Sequence, residues 1–157
     1  MFFQQGAKLS LNVLIKDLAK QLSLDDIPEL NSGIHQIQID TVTLNIMTQG
    51  DGVLLYTTLS TEIKAKIEDL NTLLIQTWAH KDSQYECLSM DSDHSLYLSR
   101  KLPPSQQSHE AFQLAVEKFI NTSEYLLEII SRQNSHSSVH SYAPINQQPH
   151  ASIKQGL

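Results

Sequence analysis

The chain has 157 residues, 40% of them hydrophobic, and a formal net charge of −6. That length and apolar fraction fit one compact domain, and the acidic balance argues against a nucleic-acid surface, which needs clustered Lys and Arg. A single cysteine, Cys87, excludes an intramolecular disulfide framework and fits a reducing cytosol.

Residues 1–6 lack the basic flank and long apolar run of a secretory signal. No apolar stretch approaches the ~18–20 residues of a membrane-spanning helix. The expectation is a soluble, cytoplasmic protein.

Leu11, Leu14, Ile15, Leu18 and Leu22 recur at helical spacing and predict a first helix over 9–22, with Ser10 as N-cap. Leu9 and Val13 widen its apolar face. Phe2 and Phe3 precede it and either tuck against the helix or form an exposed arm for a partner. Asp25, Asp26, Pro28 and Gly33 mark a loop, where the two aspartates read as turn residues rather than metal ligands.

Residues 37–59 form the spine. Apolar and polar residues alternate with the period of a half-buried strand, and the phase changes once, at Asp40-Thr41. A two-residue turn there makes Ile39 and Val42 cross-strand partners. Gly50, Asp51 and Gly52 supply a second turn. The third strand places Val53, Leu55 and Leu59 on one face and Leu54 and Tyr56 on the other, so both faces should be at least partly covered. Ser60 then opens a second helix with Ile63, Ile67, Leu70, Leu74 and Trp78 on one face. Leu73 and Ile75 fall off that stripe, which suggests a further contact, at a subunit interface or deeper in the monomer.

A fourth strand is predicted over 85–90 and a fifth over 96–98. Asp91, Asp93 and His94 between them read as a hairpin connection more readily than as a metal cluster. Pro103 and Pro104 stop the last strand. A long helix follows over 105–132, with Phe112, Val116, Phe119, Leu126, Leu127 and Ile130 along one stripe and Glu110, Glu117, Glu124 and Glu128 on another face. The fold expected is therefore α+β: an antiparallel sheet of about five strands with three helices, in the order α-β-β-β-α-β-β-α, over 1–133. Residues 134–157 are polar with one charged residue, Lys154, and read as a disordered tail. His136 and His140 lie at helical metal-ligand spacing, but in a segment that forms helix poorly.

Catalysis finds no support. There is no phosphate-binding loop, no nucleophile elbow, no His-Glu-x-x-His and no Cys-x-x-Cys. Cys87 has no His or Asp motif beside it and reads as structural. No cofactor or metal is expected.

The element order, together with Ile37-Gln38-Ile39-Asp40, Val53-Leu54-Leu55-Tyr56, Leu73-Leu74, Leu88-Ser89-Met90-Asp91, Leu96-Tyr97-Leu98 and Leu102-Pro103 before a long helix with Phe112 and Phe119, resembles the class I chaperones of bacterial type III secretion, the Tir-chaperone (CesT/SycE-like) family. The resemblance covers about residues 9–131. Tyr125 stands where the family's last helix often carries a tryptophan.

The resemblance implies a non-enzymatic homodimer of the bacterial cytoplasm. It would bind the N-terminal segment of one or more secreted effectors, keep them secretion-competent and present them to the secretion ATPase. On that basis Leu9, Val13, Leu14, Leu18, Ile37, Ile39, Leu44, Ile46 and Met47 are the candidate effector-binding residues. Each competes with a plain role in the monomer core, most strongly at Leu18 and Leu44. Leu70, Leu73, Ile75, Trp78, Cys87 and Leu88 are the candidate dimer contacts. The alternative is a regulatory or adaptor dimer on the same fold, not tied to export.

Overall fold

The computed structural model describes residues 9–30, 32–60, 67–79 and 85–137, with residues 67–69 and 133–137 described by backbone alone. Three helices, α1 (Leu11–Gln21), α2 (Ile67–Ala79) and α3 (His109–Ser137), accompany six strands. The strands are β1 (Glu29–Leu30), β2 (Ile34–Ile39), β3 (Val42–Gln49), β4 (Gly52–Ser60), β5 (Glu86–Met90) and β6 (Leu96–Leu102). They form one antiparallel sheet in the order β1-β2-β3-β4-β6-β5.

The Asp40-Thr41 turn sets the register. Ile39 pairs with Val42, and the ladder runs back from there to Ile34 opposite Met47. Asp40 adopts a left-handed backbone (φ 49°), as a tight hairpin turn requires and as Asp tolerates. At the second turn Gly50 does the same (φ 63°). Gly52 is needed for another reason: a Cβ there would lie 2.7 Å from the Leu102 carbonyl oxygen on β6.

The alternation separates the two faces of the sheet. Ile37, Val42, Leu44, Ile46, Val53, Leu55, Leu96, Leu98 and Leu102 all point to one side and are buried. On that side α3 lies across β3, β4 and β6, with α1 against α3 and α2 against α3 and β5. Phe112, Val116, Phe119 and Leu126 of α3 and Leu14, Ile15 and Leu18 of α1 complete the core. At ~1.5 Å per residue, a helix of 29 residues is long enough to cross the whole sheet.

The structure changes four expectations. The sheet has six strands, not five, because Glu29 and Leu30 pair with His35 and Ile34 inside the segment read as a loop. Two residues are too few to show a period. In α2 the buried residues are Leu73 and Thr77, with Leu70 half-buried, whereas Leu74 and Trp78 point outward. Leu73 is thus core, not an off-stripe residue. Thr77 hid the true stripe because its buried hydroxyl donates back to the Leu73 carbonyl at 2.7 Å, which makes a polar residue acceptable there. The last helix starts later than expected: Pro104–Gln106 is a 3-10 turn, and the Ser108 carbonyl accepts from Phe112 N (2.9 Å) at the start of α3. Its backbone continues to Ser137, four residues into the segment read as tail. Residues 138–157, with His140, lie outside the described residues, as do Phe2, Phe3 and Ile63.

Ser10 does stand at the N-cap of α1, but through its backbone. Its carbonyl accepts from Val13 N (3.0 Å) and Leu14 N (3.2 Å), and its side chain makes no capping bond.

Candidate binding face and its open edges

Among the described residues, the second face of the sheet carries no helix. Its residues follow from the register in cross-strand rows. Ile34, Met47, Leu54 and Lys101 form one row across β2, β3, β4 and β6. The three apolar members are half-buried, so each keeps part of its side chain in water. The next row is Gln36, Asn45, Tyr56, Ser99 and Cys87. It is tied together by hydrogen bonds: Gln36 Nε2 donates to Asn45 Oδ1 (2.8 Å), and Asn45 Nδ2 to the Tyr56 carbonyl (3.4 Å). An apolar stripe with a basic end therefore lies beside a polar ladder. That arrangement suits an amphipathic extended chain, whose alternate side chains face opposite ways.

Among the described residues, neither edge of the sheet carries a further strand. Strand β1 pairs only with Ile34 and His35, and Gln36 N donates to the Pro28 carbonyl (3.2 Å). By the two-residue period, the N–H and C=O of Gln38 also point to that edge, where no described strand pairs with them. At the other margin β5 pairs with β6 alone. Its Asp91-to-Ser95 connection is held by Asp91, whose Oδ1 accepts from Asp93 N and Ser95 N (both 2.9 Å) and whose Oδ2 accepts from Tyr97 OH (2.9 Å). The Ser95 hydrogen bond is the largest influence holding the Asp91 carboxyl below its ordinary range. The same carboxylate pushes the Tyr97 hydroxyl up. These bonds account for Asp91 as a turn residue, and among the described residues no group of three or more His, Cys, Asp or Glu is placed to hold a metal.

The candidate effector-binding residues divide by exposure. Val13 is 40% exposed on α1, and Leu9, Ile39 and Met47 are half-buried, while Leu14, Leu18, Ile37, Leu44 and Ile46 are buried in the monomer. Of the nine, Met47 is on the helix-free face. Ile34, Leu54 and Tyr56 join it there and were not among the candidates. The signal was available: counting back from the Asp40-Thr41 turn puts Ile34 opposite Met47, and counting through the Gly50-Asp51 turn puts Leu54 beside it.

The candidate dimer residues are also spread. Ile75 is 63% and Trp78 89% exposed on α2, beside Leu74 at 51%. Leu70 and Leu88 are half-buried, and Leu73 is enclosed. Cys87 is exposed, but on the helix-free face, opposite in direction to Leu88. Tyr85 and Met90, at 56% and 45% exposed, add apolar surface at the β5 margin.

A family profile, the Tir chaperone protein (CesT) family, matches residues 13–127, more than half of the chain. The chain belongs to that family. No curated protein matches its sequence significantly. Among solved structures, the fold is similar to one in the HopA1-SchA chaperone-effector complex, with TM-score 0.60 and 15% identity over 74% of this chain and 92% of that one. It is also similar to one in the complex of the Yersinia pestis type III secretion chaperone SycH with a stable fragment of YscM2, with TM-score 0.57 and 14% identity over 74% and 99%. A third similar structure is YbjN, a putative transcription regulator from E. coli, with TM-score 0.58 and 19% identity over 80% and 94%.

Proposed function

We propose that this member of the Tir-chaperone family is a type III secretion chaperone. It binds the N-terminal segment of a secreted effector in extended form and keeps it soluble and secretion-competent. The helix-free face carries the reading: a half-buried apolar row (Ile34, Met47, Leu54) beside a hydrogen-bonded polar ladder and an open strand edge at Gln38. An extended client adds main-chain hydrogen bonds at the edge and places alternate side chains on the row. Val13, Leu9 and Ile39 offer a separate apolar surface on the helix-covered side, along α1 and at the β2 margin. The activity is binding without catalysis, in the bacterial cytoplasm, and the client passes from here to the secretion ATPase.

The working unit is a homodimer. Leu74, Ile75 and Trp78 on α2, with Tyr85, Leu88 and Met90 at the β5 margin, form the surface for the second copy. Large apolar side chains at this density are uncommon on a free monomer surface.

Co-expression with the proteins encoded beside it, followed by identification of what co-purifies, tests the reading. An effector held through its N-terminal region supports it. The fold similarity to YbjN favours a second reading, a regulatory or adaptor dimer outside export. A stable complex with a non-secreted regulator, and none with an effector, would select that one.

A further inference from the structure

The apolar row continues onto β1. Leu30 is the cross-strand partner of Ile34 and so shares its face, where it is 43% exposed. The row then runs Leu30, Ile34, Met47, Leu54 and Lys101 across β1, β2, β3, β4 and β6. Neighbouring strands lie ~4.8 Å apart, so the apolar part is about 14 Å long and Lys101 follows at about 19 Å.

Lys101 differs from its surroundings. By the two-residue alternation it is the one charged residue that the described strands place on this face, in a chain of net charge −6. Among the described residues it has no carboxylate partner: the ion pairs there join Lys20 and His109 to Asp17, Arg100 to Glu86 and Arg132 to Glu128. Its stem lies across β4. A Cβ on Gly52 would come within 3.3 Å of Lys101 Cε, and Gly52 is buried although the alternation turns it to the outer face. The missing side chain at Gly52 leaves the track on which the stem lies, so the ammonium stands in water at the end of the apolar row.

We propose that Lys101 determines specificity by reading an acidic side chain of the client. The role rests on the proposed client site being this face. Alternate residues of an extended chain lie about 6.7 Å apart, so three of them span about 13 Å and match Leu30 to Leu54. The next alternate residue falls at about 20 Å, beside Lys101. The client segment therefore carries three alternate apolar residues, with Asp or Glu two residues beyond one end of them. Apolar contacts alone would let such a segment slip by two residues or lie in either direction. One ion pair at the end of the row fixes both, because any other placement faces the ammonium with an apolar or neutral group.

Bead-bound nonapeptides test this without a known client. Leu occupies positions 3, 5 and 7, Ser occupies positions 2, 4, 6 and 8, and positions 1 and 9 are randomised. The fluorescently labelled full chain is expected to select Asp or Glu at one of the two ends, about fivefold over Ser or Gln, the upper range for an exposed ion pair. Lys101→Gln should bind acid-ended and serine-ended beads alike. Lys101→Glu should select Lys or Arg at that end, a reversal that misfolding cannot produce. Absence of an acid preference in the parent, or a preference that survives Lys101→Gln, would overturn the role of Lys101 and leave the client site standing. Capture that persists in Met47→Asp/Leu54→Asp, or no capture of any bead by the parent, would refute the client site itself and the role of Lys101 with it.

Discussion

Arg100 shows how far a single residue can depart from what its sequence position suggests. In Arg100-Lys101 it reads as one half of a solvated basic pair. In the fold its side chain is 6% exposed and points to the helix-covered face, where Nη1 donates to Glu86 Oε1 at 3.1 Å. The Glu86 side chain is fully enclosed, Tyr85 lies over the guanidinium at 5.1 Å, and Nε has no hydrogen-bond partner among the described residues. Removing one charge strands the other in a low-dielectric setting, which costs about 3–5 kcal/mol. Glu86→Ala should therefore lower the free energy of unfolding by about that much in urea, while replacing both residues with Met and Leu should cost far less. A Glu86→Ala chain as stable as the parent would show that the pair is hydrated and unimportant. Asp91 makes a second residue-scale prediction. Its folded carboxyl is depressed, first by the Ser95 N–H, so its contribution to the hairpin is complete above the ordinary carboxylate range and is lost as pH falls through the folded value. Amide protection at Asp93 and Ser95 should hold at neutral pH and decline in acid. In Asp91→Ala it should be low throughout, and unchanged protection there would contradict the account.

At the scale of elements, the parts legible in the sequence were those with an uninterrupted period and a marked turn. The β2–β3–β4 meander is of this kind: Asp40-Thr41 and Gly50-Asp51 fix both hairpins, and the residue pairing follows by counting. The path of α2 was not legible, because its buried seam runs through a threonine. Leu74 and Trp78 are exposed apolar residues that look like core in the sequence, while Thr77 is core that looks like surface. Strand β1 is too short to carry a pattern at all. Of the candidate binding residues, Leu14, Leu18, Ile37, Leu44 and Ile46 went to the core, and Met47, off the main phase of its strand, went to the outer face. The exposed side of α2 carries its own prediction. Ile75→Glu/Trp78→Glu should leave the fold intact and reduce the solution mass from about twice 17.7 kDa to 17.7 kDa by light scattering. A parent chain already at 17.7 kDa would refute the dimer surface.

At the scale of the molecule, the arrangement of the described residues is asymmetric: the three described helices lie on one side of the sheet, and the other side presents a half-buried apolar row, a polar ladder and an edge at Gln38. A sheet with one bare face and an open edge gains from adding another chain. That is the physical content of the chaperone reading, and it locates the client on particular residues. The most direct test is a calorimetric titration of the client's N-terminal segment against the parent chain and against Met47→Asp/Leu54→Asp. Losing two apolar contacts of about 1.5–3 kcal/mol each should weaken binding by at least about 100-fold. The melting temperature should change little, because neither side chain belongs to the core. Unchanged affinity in that variant, with the fold intact, would mean that the client lies elsewhere and would contradict the account.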